Sequence, residues 1–275
     1  MTSSEMRADN DENLIHVGCA GWSVPGAMHD QFPAAGSHLV RYASVLPAVE
    51  INTSFYRPHR AATYARWRES VPEGFRFSAK LPKAITHEAR LHGTEEAVEK
   101  FIGEVSHLEH KLGCLLVQLP PSLQFDAQTA RRFFRHLRSL TNARVACEPR
   151  HLTWFTRAAA ELLSGIGVGY VDADPAVAPI PAQADAAGFV YLRMHGSPVI
   201  YHSAYPEDVI GQLHARIMRS MDAGCHAWCI FDNTASGAAV PNALSLLSRL
   251  QLPQAGTAWL PAGQAASSRP AFSPR

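Results

Sequence analysis

Short runs rich in apolar and β-branched residues recur along the chain and predict strands near 14–20, 47–53, 75–81, 114–119, 144–149, 167–172, 189–195 and 226–232. Between most of them the apolar positions switch to a helical period. The clearest case runs from Thr94 to Leu112, where Val98, Phe101, Ile102, Val105, Leu108 and Leu112 trace one apolar stripe behind a Thr N-cap. Similar patterns predict helices at about 37–46, 60–70, 126–140, 156–164, 206–223 and 238–251. Eight strands alternating with helices, at roughly 30 residues per unit, favour a single closed TIM-like (β/α) barrel over an open doubly wound sheet. One unit breaks the pattern. Asp174 to Ala187 carries Pro175, Pro179 and Pro181, so no helix is expected between the sixth and seventh strands and the barrel should be irregular there. The barrel domain is expected to span 13–253, with flexible ends at 1–12 and 254–275.

Strand alternation then separates side chains facing the barrel axis from those facing the helices. In the second strand Val49 and Ile51 make the helix-facing set, which leaves Glu50 and Asn52 inside. Phe75, Phe77 and Ala79 likewise leave Ser78 and Lys80 inside. Leu115, Val117, Leu119, Val145 and Cys147 leave Gln118, Glu148 and Arg150. Val190, Leu192 and Met194 leave Arg193 and His195, and Asp232 continues the inward parity of Trp228 and Ile230. A barrel interior built only for stability would carry Val, Ile and Leu at these positions, because an unpaired buried charge costs several kcal/mol. Instead the charges fall late in each strand, at the end where barrel active sites lie. Taken singly, each is as well read as a structural ion pair.

Composition narrows the partners. The 275 residues are 47% hydrophobic and 18% charged, enough apolar content for a large core. A formal net charge of +1 offers no global attraction to nucleic acid, so anion recognition must be local. No apolar stretch reaches the ~18 residues of a membrane span, and the polar, acidic start MTSSEMRADNDE does not resemble a signal peptide, so a cytoplasmic location is expected and no membrane partner. The five cysteines show no CxxC pair and the fourteen histidines no HExxH, which argues against a disulfide framework or a zinc site of those types. Neither GxGxxG nor a P-loop appears, so there is no nicotinamide, flavin or P-loop nucleotide signature. The sequence is silent on oligomeric state.

In order along the chain stand VGCAGW, VEINTSFYR, FRFSAKLPKAITH, LLVQLPP, CEPRHLTW, YLRMHG and FDNTASGAA. Together they resemble the YecE-like family, domain of unknown function 72, over about residues 15 to 251. That resemblance implies a TIM-like barrel of cytoplasmic proteins for which no shared biochemical activity is established. The family pattern is matched at Glu50, Asn52, Tyr56, Lys80, His87, Gln118, Glu148, Arg150, Arg193, His195, Asp232, Asn233 and Thr234, among others. The chain departs from it at Val24, where an aromatic is usual, and at Pro149, where the family commonly has Phe.

The function expected from these readings is an enzyme acting by acid-base chemistry on a small phosphorylated or carboxylated substrate, in the hydrolase, lyase or isomerase classes. Glu50, Lys80, Glu148, His195 and Asp232 are its catalytic candidates, with the carboxylates as an acid and base pair and Lys80 as an alternative Schiff-base nucleophile. Asn52, Tyr56, His87, Gln118, Arg150, Arg193, Asn233 and Thr234 are the substrate-binding candidates, the arginines for bidentate anion contact. Small polar loops at His195-Gly196-Ser197 and Asn233 to Gly237 are expected to offer backbone amides to phosphate. Trp22, Phe55, Tyr56, Trp154, Tyr201 and Tyr205 are expected near the strand ends, placed to stack on a sugar or base. Two alternatives stay open. One is a divalent-metal hydrolase or isomerase using Glu50, Glu148, His195 and Asp232 with Asp172 or Asp174; the other is a non-catalytic binder of nucleotides or single-stranded nucleic acid, disfavoured by the neutral charge.

Overall fold

The structure, a computed structural model, describes residues 14–182 and 188–251. The ends expected to be flexible, 1–12 and 254–275, lie outside these residues. Eight strands form the inner wall: β1 Ile15–Ala20, β2 Ala48–Ile51, β3 Arg76–Lys80, β4 Leu112–Gln118, β5 Arg144–Glu148, β6 Val168–Asp174, β7 Phe189–Met194 and β8 His226–Phe231. Each pairs in parallel with its successor and β8 pairs with β1, closing the barrel. The outer ring is α1 His38–Ala43, α2 Ala61–Glu69, α3 Glu95–Val105, α4 Ala127–Ser139, α5 Arg157–Gly165, α6 Glu207–Asp222 and α7 Ala239–Leu250. Among the described residues no helix lies between β6 and β7, where the prolines deny the backbone its helical donors.

Two apolar layers follow from the alternation of side chains along the strands. Val49, Ile51, Phe77, Leu115, Val117, Val145, Cys147, Leu192 and Met194 join the layer between strands and helices. Ala48, Cys114, Leu116, Ala146, Val171, Phe189, Tyr191, Trp228 and Ile230 fill the barrel axis. The axis is therefore packed through its middle; charged residues gather toward the carboxyl ends, and the buried His16 packs on Trp228 near the opposite end. The helices dock through their apolar stripes. In α4, Phe133, Phe134 and Leu137 are buried, and the Asp126 carboxylate accepts from the Thr129 amide at 2.8 Å to close the first turn.

Two details differ from the expectation. The stripe from Thr94 does not run as one helix to Leu112: α3 stops at Val105, and Ser106–Lys111 tightens into a 3₁₀ segment broken by Glu109 at φ 51°. Leu108 stays buried because the tighter turn keeps it on the same side, while Leu112 opens β4. The Thr94 side chain makes no capping hydrogen bond. Between β1 and β2 the Tyr42 hydroxyl donates to the Ala48 carbonyl (2.9 Å) and accepts from the Cys19 amide (2.8 Å). This splice needs Gly18: a Cβ there would lie 2.0 Å from the Ala48 carbonyl oxygen.

Candidate active site

Arg193 is the hub of the mouth. It projects from β7 into the barrel, fully buried. Its Nη2 lies 2.7 Å from Glu50 Oε1 and 3.0 Å from Asp232 Oδ2, its Nε 3.1 Å from Glu50 Oε2, and its Nη1 3.2 Å from Glu148 Oε2. One guanidinium thus serves carboxylates from β2, β5 and the end of β8, as its planar fork of donors allows. The Tyr191 hydroxyl, two residues earlier on the same face, donates to Glu50 Oε2 at 2.8 Å and lies 2.8 Å from Ser78 Oγ.

His195 completes the network. Nε2 is 2.9 Å from Glu148 Oε1 and Nδ1 is 2.9 Å from Asp232 Oδ2, so both ring nitrogens face carboxylate acceptors, an arrangement that favours the imidazolium. Burial alone would push this imidazole down, but the hydrogen bonds to Asp232 and Glu148 outweigh it and raise the pKa. Glu148 responds in the opposite sense. Burial favours its neutral form, yet the Arg193 charge and the hydrogen bonds from His195 and Gln118 hold its carboxyl well below the usual range. Gln118 Nε2 donates to Glu148 Oε1 at 2.9 Å.

Two cations remain on the open side. Arg150 is half-buried, with only its Nη1 engaged, 3.4 Å from Glu148 Oε1 and 3.5 Å from the Pro175 carbonyl. Lys80, the last residue of β3, is 6% exposed and has no hydrogen-bond or ion-pair partner among the described residues. Its Nζ sits 4.1 Å above the centre of the Phe55 ring. Burial, followed by the charge of Arg193, lowers its pKa to about 8 against the opposing pull of Glu50, Glu148 and Asp232.

The other candidates form the rim. His87 lies in a single π-helical turn, Ala84–Glu88, with Nδ1 2.9 Å from Thr86 Oγ1 and its ring edge-on to Phe55 at 4.9 Å. Burial and then the nearby Lys80 charge lower its pKa. Asn52 Oδ1 is shielded and has no hydrogen-bond partner, whereas Tyr56 is 69% exposed. Asn233 is buried and donates through Nδ2 to the Ser203 carbonyl and Asn242 Oδ1; Thr234 is exposed.

Several expectations need correction. Arg193 is engaged by three carboxylates and presents no free fork to a substrate. The amides of Gly196, Ala235 and Gly237 bond to the Tyr205 hydroxyl, the Tyr201 carbonyl and the Thr234 carbonyl, so these loop amides are already taken. Trp154 and Tyr205 are buried supports rather than stacking surfaces: the Trp154 indole donates to the Leu123 carbonyl (2.9 Å) and the Tyr205 hydroxyl to Asp174 Oδ2 (2.7 Å). Asp172 and Asp174 take the helix-facing parity of β6, so they do not join Glu50 and Glu148. Glu50, Glu148, Asp232 and His195 turn toward Arg193 and each other, and no metal-holding group of His, Cys, Asp or Glu exists among the described residues. That donor set does not fit a divalent ion. Pro149 leaves β5 undisturbed, because Glu148 still pairs with Gln118 and its carbonyl still accepts from the Leu119 amide.

Sequence reasoning missed Tyr191 as a bridge and Phe55 as the shelf beneath Lys80. Tyr191 shares the inward parity of Arg193 and was legible on that ground. Phe55 reaches Lys80 only because the Ser54 hydroxyl ties the turn after β2 to the Lys80 carbonyl at 2.6 Å and to the Ile51 carbonyl at 2.9 Å.

A closed parallel barrel with a polar centre at the carboxyl ends of its strands defines a TIM-type α/β barrel protein. The model of the family described as "Protein of unknown function DUF72" matches residues 16–267, and the chain belongs to this family. The protein YecE of Escherichia coli (strain K12) is 30% identical over 146 residues, 52% of this chain and 51% of that protein. YunF of Bacillus subtilis (strain 168) is 26% identical over 151 residues, 52% and 53% of the two chains. The chain therefore spans about half the length of these curated relatives in its matches. The crystal structure of a DUF72 family protein from Thermotoga maritima superposes with a TM-score of 0.73 at 23% identity, covering 86% of this chain and 99% of that one. A sugar phosphate isomerase/epimerase from Parabacteroides distasonis shares the fold at a TM-score of 0.55 and 11% identity, over 90% and 98% of the chains. Among the described residues no helix is long and apolar enough to cross a membrane.

Proposed function

We propose that the protein is an enzyme that binds a small substrate bearing a phosphate or carboxylate at the barrel mouth and acts on it by proton transfer. One observation carries this reading: two of the mouth's cations, Lys80 and Arg150, are not held in short ion pairs. Glu50, Glu148 and Asp232 face Arg193 and His195 inside, while among the described residues Lys80 has no hydrogen-bond or ion-pair partner and Arg150 has only long contacts. An incoming anion would meet those two cations without breaking a short ion pair. Lys80, with its pKa near 8, supplies a group able to take up or release a proton near neutral pH.

The test is calorimetric titration with inorganic phosphate and with a panel of small phosphorylated and carboxylated compounds. Binding of at least one is expected, weakened by Arg150→Ala about 10- to 100-fold, the worth of a charge-assisted hydrogen bond at ~1.5–3 kcal/mol. No binding by wild type, or equal binding by Arg150→Ala, overturns the reading. A non-catalytic nucleotide or single-strand binder is the second reading, favoured by the exposed rings of Tyr56 and Tyr201 at the rim. It requires oligonucleotide affinity with a steep salt slope, which a site for small substrates lacks.

A further inference from the structure

We propose that Lys80 is a covalent nucleophile that captures the carbonyl carbon of a small anionic aldehyde or ketone as an iminium. The proposal rests on the anionic-substrate reading above and specifies the substrate class. Its basis is the contrast between Lys80 and the charged groups around Arg193. Arg193, Glu50, Glu148, Asp232 and His195 are all held in short ion pairs or hydrogen bonds. Lys80 is buried and, among the described residues, without a hydrogen-bonding partner, its amine resting on the Phe55 face at 4.1 Å. A lysine serving structure would be expected to find a carbonyl or carboxylate, as Lys111 does by donating to the carbonyls of Arg68 (3.0 Å) and Val71 (2.8 Å).

The surroundings favour the reactive form. An ammonium enclosed without hydrogen bonds is costly, so burial shifts it toward the neutral amine, and the Arg193 charge adds to the shift. Glu50, Glu148 and Asp232 oppose both and keep the pKa at about 8 rather than lower. His87 stands edge-on to the same Phe55 ring at 4.9 Å, and burial followed by the Lys80 charge lowers its pKa. Position is fixed as well: the Ser54 hydroxyl, 2.6 Å from the Lys80 carbonyl, locks the Phe55 turn to the end of β3.

The step balances without a cofactor. The neutral Nζ attacks the carbonyl carbon and the C=O π pair moves to oxygen, giving a carbinolamine after proton transfer from nitrogen to oxygen. Protonation of that hydroxyl and departure of water then give the iminium. Arg150, with donors to spare, would hold the substrate's anionic group.

The test incubates the full-length protein with sodium cyanoborohydride and, in separate reactions, pyruvate, dihydroxyacetone phosphate or glyceraldehyde 3-phosphate. Intact mass and peptide mapping then locate the reduced adducts. Labelling of Lys80 is expected with at least one compound, on the order of tenfold faster at neutral pH than an exposed lysine such as Lys83, because burial and the Arg193 charge leave more of the Lys80 amine free. Lys80→Arg removes the nucleophile and should lose the adduct, while Lys83→Arg should leave Lys80 labelling and phosphate binding unchanged. Absence of any Lys80 adduct, or labelling of Lys83 at the same rate, overturns the proposal. If phosphate binding survives that result, the anionic-substrate reading stands alone; if phosphate binding is also absent, both fail.

Discussion

Replacing Arg193 by Met is the most incisive perturbation of the mouth. Methionine keeps much of the volume and removes the guanidinium that lies against Glu50, Glu148 and Asp232 at 2.7, 3.2 and 3.0 Å. All four side chains are at most 6% exposed, so water cannot take the place of the lost donors. Breaking one buried ion pair by removing a partner costs about 3–5 kcal/mol. Three carboxylates share this guanidinium, and two of them keep His195, so a loss at the upper end, ~5 kcal/mol, is expected at pH 8. For a domain of this size that corresponds to a fall in Tm of roughly 10–20 °C. The pH dependence identifies the cause. In wild type the Glu148 carboxyl sits below its ordinary 4.5, so its contribution is full above that value and fades as pH falls below it. Without Arg193 the pull that outweighs burial is gone, Glu148 protonates at milder pH, and the penalty shrinks on acidification. Urea unfolding of both proteins at pH 8 and about pH 5 measures this. A difference under about 1 kcal/mol at pH 8, or one equally large at pH 5, would refute the electrostatic account. Arg193→Lys, which keeps a charge without the fork, should fall between the two.

Two further predictions complete those attached to Arg150 and Lys80. The raised pKa of His195 means its imidazolium contributes stability fully below 6.5 and loses it as pH rises through the folded-state value. His195→Gln should therefore flatten the fall in Tm that wild type shows as pH rises above 6.5; an unchanged slope there contradicts the assignment. Gly18→Ala would force a methyl group to 2.0 Å from the Ala48 carbonyl oxygen and strain the β1–β2 splice. A loss of at least about 2 kcal/mol in urea unfolding is expected, and a loss below about 0.5 kcal/mol would mean that the strands move apart readily.

Most of the fold was legible in the sequence because a buried parallel barrel imposes two periodicities at once. Val49 and Ile51, or Leu192 and Met194, had to face the helices, which left Glu50 and Arg193 no direction but inward. The same argument placed Lys80, Gln118, Glu148 and Asp232 at one end without any coordinates. Pro175, Pro179 and Pro181 agree with the absence of an α-helix among the described residues between β6 and β7. The end of α3 was not legible, because an apolar stripe looks alike whether the last turn is α-helical or 3₁₀, and the left-handed Glu109 leaves no mark on hydropathy.

Only the tertiary structure decided which charges neutralise one another. Arg193 and Arg150 read alike along the chain, both inward and late in a strand, yet Arg193 lies where three strands converge and is fully engaged, while Arg150 lies toward the rim. Lys80 and Lys111 are both buried lysines, and sequence gives no sign that one is capped by carbonyls and the other rests on an aromatic face. The physical reason is range. Side-chain direction is a local property repeating every two residues, whereas ion pairing depends on ångström-scale distances between strands far apart in the chain, set by closure of the barrel.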